Sequence, residues 1–153
     1  MPKRSAGLLL HRGGLARLEV LLVHPGGPFW ARKDEGAWSI PKGELADGED
    51  PYAAALREFA EETGFAPPTA EATDLGEAVQ PSRKIVRAFA VADDLDATAV
   101  RSNLIDLVWP PRSGHVIQVP EIDRAAWLPL HEAERKLLAG QRVFLHRLAA
   151  ALA

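Results

Sequence analysis

The chain has 153 residues, 47% hydrophobic and 25% charged, with a formal net charge of −3 and no cysteine. These are ordinary proportions for a soluble globular protein, with length for one domain, expected over 1–153, around a real hydrophobic core. The lack of cysteine excludes disulfides, thiol catalysis and a Cys-ligated zinc site, and the mild negative charge argues against a protein that coats nucleic acid or an anionic membrane.

Lys3 and Arg4 precede a short apolar run, 6–10, stopped by His11 and Arg12. It is too short for a typical signal core and reads as a buried strand. Residues 5–11 and 18–24 are expected strands, and Gly13-Gly14 between them favours a hairpin. The unbroken apolar stretches 8–10 and 20–23 suggest central strands covered on both faces. Residues 25–28 are loop. A short strand over 37–40 is expected to run into Pro41-Lys42-Gly43, with a helix after it. Residues 75–79 and 85–92 read as a further strand pair linked by 80–84, 104–109 and 116–119 as extended segments, and 126–128 likewise. From His131 the helical period takes over, with Leu137, Leu138, Val143, Leu145 and Leu148 as core contacts and Gly140 separating two helical pieces. The expected class is α/β, a sheet with helices on both faces. No segment approaches the roughly 20 apolar residues of a membrane span, so a cytoplasmic location without a membrane partner is the default expectation.

The helix after Gly43 carries the chemistry. Asp50 can cap its start, Pro51 suits the first helical position, and Gly64 can supply the left-handed residue that ends it. At about 100° per residue, Glu58, Glu61 and Glu62 share one face, with Tyr52, Leu56, Phe59 and Ala60 opposite as the expected buried stripe. Acids one turn apart repel by a few tenths of a kcal/mol per pair. Beside the negative end of the helix dipole each loses roughly another 0.3–1 kcal/mol. No lysine lies one turn away to relieve them. A solvated charged face is one reading; the other is a bound hard cation such as Mg2+, which turns repulsion into shared coordination.

The segment Gly43, Glu49, Arg57-Glu58-Phe59, Ala60, Glu61-Glu62, Thr63, Gly64, Phe65 resembles the signature of the Nudix hydrolases. Every charged and glycine position of that signature matches. Phe59 and Phe65 stand where the family usually carries an aliphatic residue, which bears on packing rather than on chemistry. The resemblance implies a Nudix-type α/β/α sandwich with a mixed β-sheet between helices. It also implies hydrolysis of a diphosphate linkage with Mg2+ or Mn2+, the helix glutamates sharing the duties of metal ligand and base. Glu58 and Glu62 are the leading metal ligands, and Glu61 either ligates a second ion or takes the proton from the attacking water. Glu49 either favours the helix N-terminus or, as the resemblance implies, pairs with Arg57 to hold the loop against the helix.

Outside the signature, Glu121 in PEIDRAAW resembles an extra glutamate that several family members use as metal ligand or base; Asp106 and Asp123 are weaker rivals. Lys42, Gly43, Arg83, Lys84 and Trp30 are the candidates for substrate contact, with Arg32 and Lys33 behind them. Trp30 and Trp109 lie on loops, where a ring can stack on a base or simply pack the loop, whereas Trp38 and Trp127 are expected in the core. His24 reads as a strand-end histidine, and the five histidines show no metal spacing. The segments HPGGPFW, WSIPKGE and WPPRSG resemble a Nudix subgroup described as nucleoside triphosphate pyrophosphohydrolases, and WSIPKGE also resembles diadenosine polyphosphate hydrolases. The expected substrate is a nucleoside triphosphate or dinucleoside polyphosphate; the alternatives are a sugar or inositol diphosphate, or a catalytically silent nucleotide-binding module. The apolar C-terminal segment LAAALA leaves room for a homodimer.

Overall fold

A computed structural model describes residues 2–153. Its main sheet contains β1 (Arg4–Arg12), β2 (Glu19–Pro25), β3 (Lys42–Glu44), β4 (Ala72–Val79), β5 (Ile85–Ala92) and β8 (Ile122–Pro129), in the order β4-β5-β1-β2-β8 with β3 also on β1. The β1–β5 pair is parallel and the other pairs are antiparallel, so the sheet is mixed. β6 (Leu104–Val108) and β7 (Val116–Pro120) form a separate antiparallel ribbon. The helices are α1 (Pro51–Thr63), α2 (Leu130–Lys136) and α3 (Val143–Leu152).

β1 alternates its side chains between two cores, as a central strand must. Leu8 and Leu10, with Leu21 of β2, pack against Ala54, Ala55 and Phe59 of α1. Leu9, with Val20 and Leu22, packs against Leu137 and against Phe144, Leu145 and Leu148 of α3. The result is the expected α/β/α sandwich.

Asp50 accepts a hydrogen bond from Ala53 N at 3.0 Å, Pro51 opens α1, and Gly64 closes it with φ 77°. The buried face of α1 differs from expectation. Ala54, Ala55, Phe59, Glu62 and Thr63 are buried, while Tyr52, Leu56 and Ala60 are only half-buried flanks. Two adjacent alanines bring the helix close to β1, and that proximity rotates the contact line toward Glu62.

Two other expectations shift. The strand placed at 37–40 is instead a buried loop making isolated bridges, and β3 begins at Lys42 because it pairs with β1 through Gly7↔Lys42, Ala6↔Gly43 and Ser5↔Glu44. The antiparallel β1–β2 pair is the expected hairpin, its link holding Gly13-Gly14 and a 3-10 turn over Leu15–Arg17. Trp38 is in the core; Trp127 packs half-buried against the core on the α1 side, donating Nε1–H to the Leu95 carbonyl at 2.9 Å with the Arg12 guanidinium over its ring. Val143 packs half-buried on the α3 side, whereas Leu138, expected as a core contact, is half-buried outside both.

The arrangement of β1 creates the site. β1 pairs with β3 at its start and with β2 at its end, on one shared edge. The two partners diverge, and the gap between them is bounded by loop 26–41 and by the corner entering β8.

Candidate active site

A cleft of about 210 Å³ lies in that gap, lined by Val23, Pro25, Trp30, Ala37, Ser39, Lys42, Glu62, Glu121, Ile122 and Leu138. Four expected site residues therefore meet: Trp30 from the loop after β2, Lys42 from β3, Glu62 from the end of α1, and Glu121 from the corner between β7 and β8.

Glu62 is only 6% exposed. Its Oε1 accepts from the Lys42 backbone N at 3.3 Å. Burial pushes its carboxyl up from 4.5 to about 8, and the charges of Glu121 and Glu58 add to the rise, against the pull of Lys42. Glu58 and Glu121 are raised in the same sense, each first by burial; Glu121 repels Glu58, and Glu61 repels both Glu58 and Glu121. The four acids therefore act on one another electrostatically, which no isolated solvated helix face would require.

Gly43 makes room for this. A Cβ built there would lie 1.9 Å from the Glu58 carboxyl carbon, so the Glu58 head occupies the space that any other residue at 43 would fill. Gly7, opposite Lys42, plays the same part for the chain: its Cβ would meet the Pro41 carbonyl at 2.4 Å.

Arg57 organises the outer rim. It donates from Nε and Nη2 to the two Glu49 oxygens, both at 2.9 Å, from Nη1 to Glu58 Oε1 at 2.8 Å and Glu61 Oε1 at 3.3 Å, and from Nη2 to the Glu44 carbonyl at 3.2 Å. The fork holds the Glu49 carboxyl down at about 2, well under its ordinary 4.5, and Ala46 N adds a hydrogen bond. Glu49 thus pairs with Arg57 and fastens loop to helix, while Asp50 caps α1. The relief expected to be absent from the acidic face comes from this arginine rather than from a lysine.

Asn103 joins the site unannounced by the sequence. Oriented to satisfy both groups, its amide donates to Glu121 Oε1 at 2.9 Å. Its backbone binds both sides: Asn103 N donates to the Glu61 carbonyl at 3.3 Å, and Glu121 N donates to the Asn103 carbonyl at 3.0 Å. Residues 93–114 carry no local pattern that marks such a position. Arg83 and Lys84 are placed elsewhere, in the β4–β5 turn, on a concavity with Pro2, Lys3, Val79, Ser82 and Ile85 that shares no lining residue with the cleft. Lys33 lies over the Phe29 ring at 3.8 Å, outside the cleft lining. Of the rivals to Glu121, Asp106 accepts from Gln118 within the β6–β7 ribbon and Asp123 is bound to His24. Among the described residues no three acidic or histidine side chains converge closely enough to hold an ion as they stand.

Fold and site together define an α/β/α protein whose acidic groups gather at the end of one helix, between two diverging strands. The chain belongs to the Nudix family: the NUDIX domain profile matches residues 1–148. It is similar to an RNA pyrophosphohydrolase of Rhizobium meliloti (strain 1021), 32% identical over 119 residues that make up 69% of this chain and 66% of that protein, so it spans just under two thirds of that relative's length. The fold is shared with the NUDIX domain of Shewanella oneidensis NrtR complexed with ADP ribose, at TM-score 0.65 and 18% identity, covering 100% of this chain and 90% of that one. It is shared as well with a C. elegans Ap4A hydrolase binary complex, at TM-score 0.63 and 22% identity over 97% of both chains.

Proposed function

We propose that this protein hydrolyses a diphosphate linkage in a nucleoside diphosphate derivative, with Mg2+ or Mn2+ as cofactor. The carrying observation is the buried Glu62, facing Glu121 across a cleft that also presents Lys42 and Trp30. A carboxyl held there near pH 8 and repelled by two neighbours is costly for a structural role, and a hard cation relieves that cost.

The donor set fits such an ion. It is made of carboxylate oxygens, which suit Mg2+ and Mn2+ over softer metals, and Gly43 leaves the Glu58 head a place beside the sheet. Glu58 and Glu62 would hold it, with Glu121 and Glu61 completing the set. When bound, the ion would polarise a phosphoryl oxygen and acidify a water. The chain's own groups do the remainder. Lys42 offsets negative charge on the substrate phosphates, Arg57 and Glu49 keep the helix end in register with the loop, and Trp30 offers an aromatic face for a base. Glu61 or Glu121 accepts the proton of the attacking water, since both flank the site and neither is bound as deeply as Glu62.

The substrate reading is a phosphate chain ending in a nucleoside. It draws on what the similar proteins are, an RNA pyrophosphohydrolase and an Ap4A hydrolase, and on the single aromatic ring in the cleft lining. The test is a panel of ATP, diadenosine tetraphosphate, ADP-ribose and a 5′-triphosphorylated RNA oligonucleotide, each with Mg2+, Mn2+ or EDTA, scored by phosphate or pyrophosphate release. Metal-dependent cleavage of at least one supports the reading. Binding without turnover under either ion would make the chain a nucleotide-binding module instead.

A further inference from the structure

His24, near the end of β2, is fully buried directly behind the cleft; its neighbours Val23 and Pro25 line the cleft while the imidazole does not. Both ring nitrogens are engaged, Nε2 at 2.6 Å from the Lys33 carbonyl and Nδ1 at 2.9 Å from Asp123 Oδ1. A carbonyl only accepts, so Nε2 carries the hydrogen of its contact with Lys33, while Nδ1 lies within hydrogen-bond distance of the Asp123 carboxyl. The edge of the ring meets Trp38, centroids 5.2 Å apart, which fixes its tilt.

A β-bulge builds the Asp123 contact. The pairing of β2 with β8 passes from His24↔Arg124 to Pro25↔Ile122, leaving Asp123 as the extra residue. A bulge re-aims a side chain that regular pairing would send elsewhere. The same irregularity sets the path of Ile122 and Glu121 into the cleft, where Gly26 N donates to the Glu121 carbonyl at 2.9 Å. Lys33, for its part, belongs to the turn that carries Trp30, with Lys33 N donating to the Trp30 carbonyl at 2.9 Å.

One buried side chain thus grips both walls of the cleft. An apolar residue would fill this volume without the cost of burying an imidazole, so what the histidine adds is the fixed placement of its two partners. We propose that His24 is a positioning residue for substrate binding, a clamp that holds the Trp30 loop and the Glu121 corner at a set separation. The role rests on the reading that the cleft takes the nucleoside end of a diphosphate substrate.

The experiment compares the full-length wild type with His24→Gln and Asp123→Asn. The second variant keeps the ring in place and serves if the first does not fold. Deuterium exchange of the amides in 27–36 should quicken about tenfold while α1 is unchanged. For whichever member of the nucleotide panel the wild type cleaves, KM should rise roughly tenfold, the scale of one lost hydrogen bond, with kcat falling by a smaller factor through the Glu121 corner. Adding either change to Trp30→Ala should raise KM no further than Trp30→Ala does. Unchanged loop exchange overturns the clamp. Faster exchange with an unchanged KM, or a KM effect additive with Trp30→Ala, overturns its role in binding. A wild type inactive on the whole panel refutes the hydrolase reading instead, and the exchange result then decides the clamp alone.

Discussion

Replacing Glu62 by glutamine in metal-free protein tests the site before any substrate is known. The carboxyl is 6% exposed and pushed from 4.5 to about 8, first by burial and then by Glu121 and Glu58. The folded form binds this proton more tightly than the unfolded chain does. Its contribution to stability is therefore complete below pH 4.5 and is lost as pH rises toward 8. The whole interval corresponds to about 5 kcal/mol. Repulsion is shared with Glu121 and Glu58, so the part that follows Glu62 alone is about 2–4 kcal/mol. Glutamine keeps the shape and cannot ionise. In urea unfolding with EDTA, the wild type should lose about 2–4 kcal/mol relative to Glu62→Gln between pH 5 and 8, the two curves converging at the acid end. Magnesium at a hundred times its Kd should return about 2.7 kcal/mol to the wild type at pH 8 and much less to the variant. The variant should also lose most metal-dependent turnover. Parallel pH curves in EDTA, or equal stabilisation of both proteins by Mg2+, would refute the assignment of Glu62 as a buried ligand.

Gly43→Ala drives its new Cβ into the movable end of Glu58, so we expect at least a tenfold fall in kcat with a stability loss of about 1 kcal/mol or less; Gly7→Ala meets the Pro41 carbonyl, which cannot step aside, and should cost about 2–3 kcal/mol in denaturant unfolding. Arg57→Ala frees Glu49, Glu58 and Glu61 together and should lower kcat about a hundredfold, and Arg57→Lys should recover little because one ammonium cannot serve both Glu49 oxygens. An NMR titration of Glu49 in Arg57→Ala should find its carboxyl back near its ordinary 4.5 rather than at about 2. Glu61→Gln and Glu121→Gln separate the two candidate bases: the variant that removes the base should flatten the alkaline-going limb of the kcat profile, and the other should change metal requirement without changing that limb.

How much of this could be read from the sequence depended on whether the cause was local. The ends of α1 are fixed within a few residues, by Asp50 on Ala53 N, by Pro51 and by Gly64, and they fall where the sequence placed them. The pairing of Glu49 with Arg57 is the one of two open readings that the family resemblance implied. The buried face of α1 did not, because it depends on how closely Ala54 and Ala55 let the helix approach β1. β3 was missed because its three residues, Lys-Gly-Glu, have no strand character of their own and become a strand only by pairing with β1, while the stretch 37–40 that suggested one is a loop whose Ala37, Trp38 and Ile40 are buried. His24 with Asp123 and Asn103 with Glu61 join residues far apart in the chain, and a bulge in one case and an irregular stretch in the other leave no periodic trace.

The two glycines show why the site and the fold cannot be separated here. Gly7 and Gly43 lie on adjacent strands, at the neighbouring register pairs Gly7↔Lys42 and Ala6↔Gly43. Without Cβ atoms they let the chain at 41 press against β1 and let the Glu58 head press against β3. Ala54 and Ala55 do the same for the helix axis. Small residues at each contact bring an acidic helix end closer to the sheet than larger ones would permit, and closeness is what removes water from Glu62 and raises its carboxyl. The same removal strengthens any charge interaction made in the cleft. Larger side chains at 7, 43, 54 and 55 would strain these contacts and hold the helix end off the sheet, leaving Glu58 and Glu62 on a solvated surface without the desolvation that raises their carboxyls.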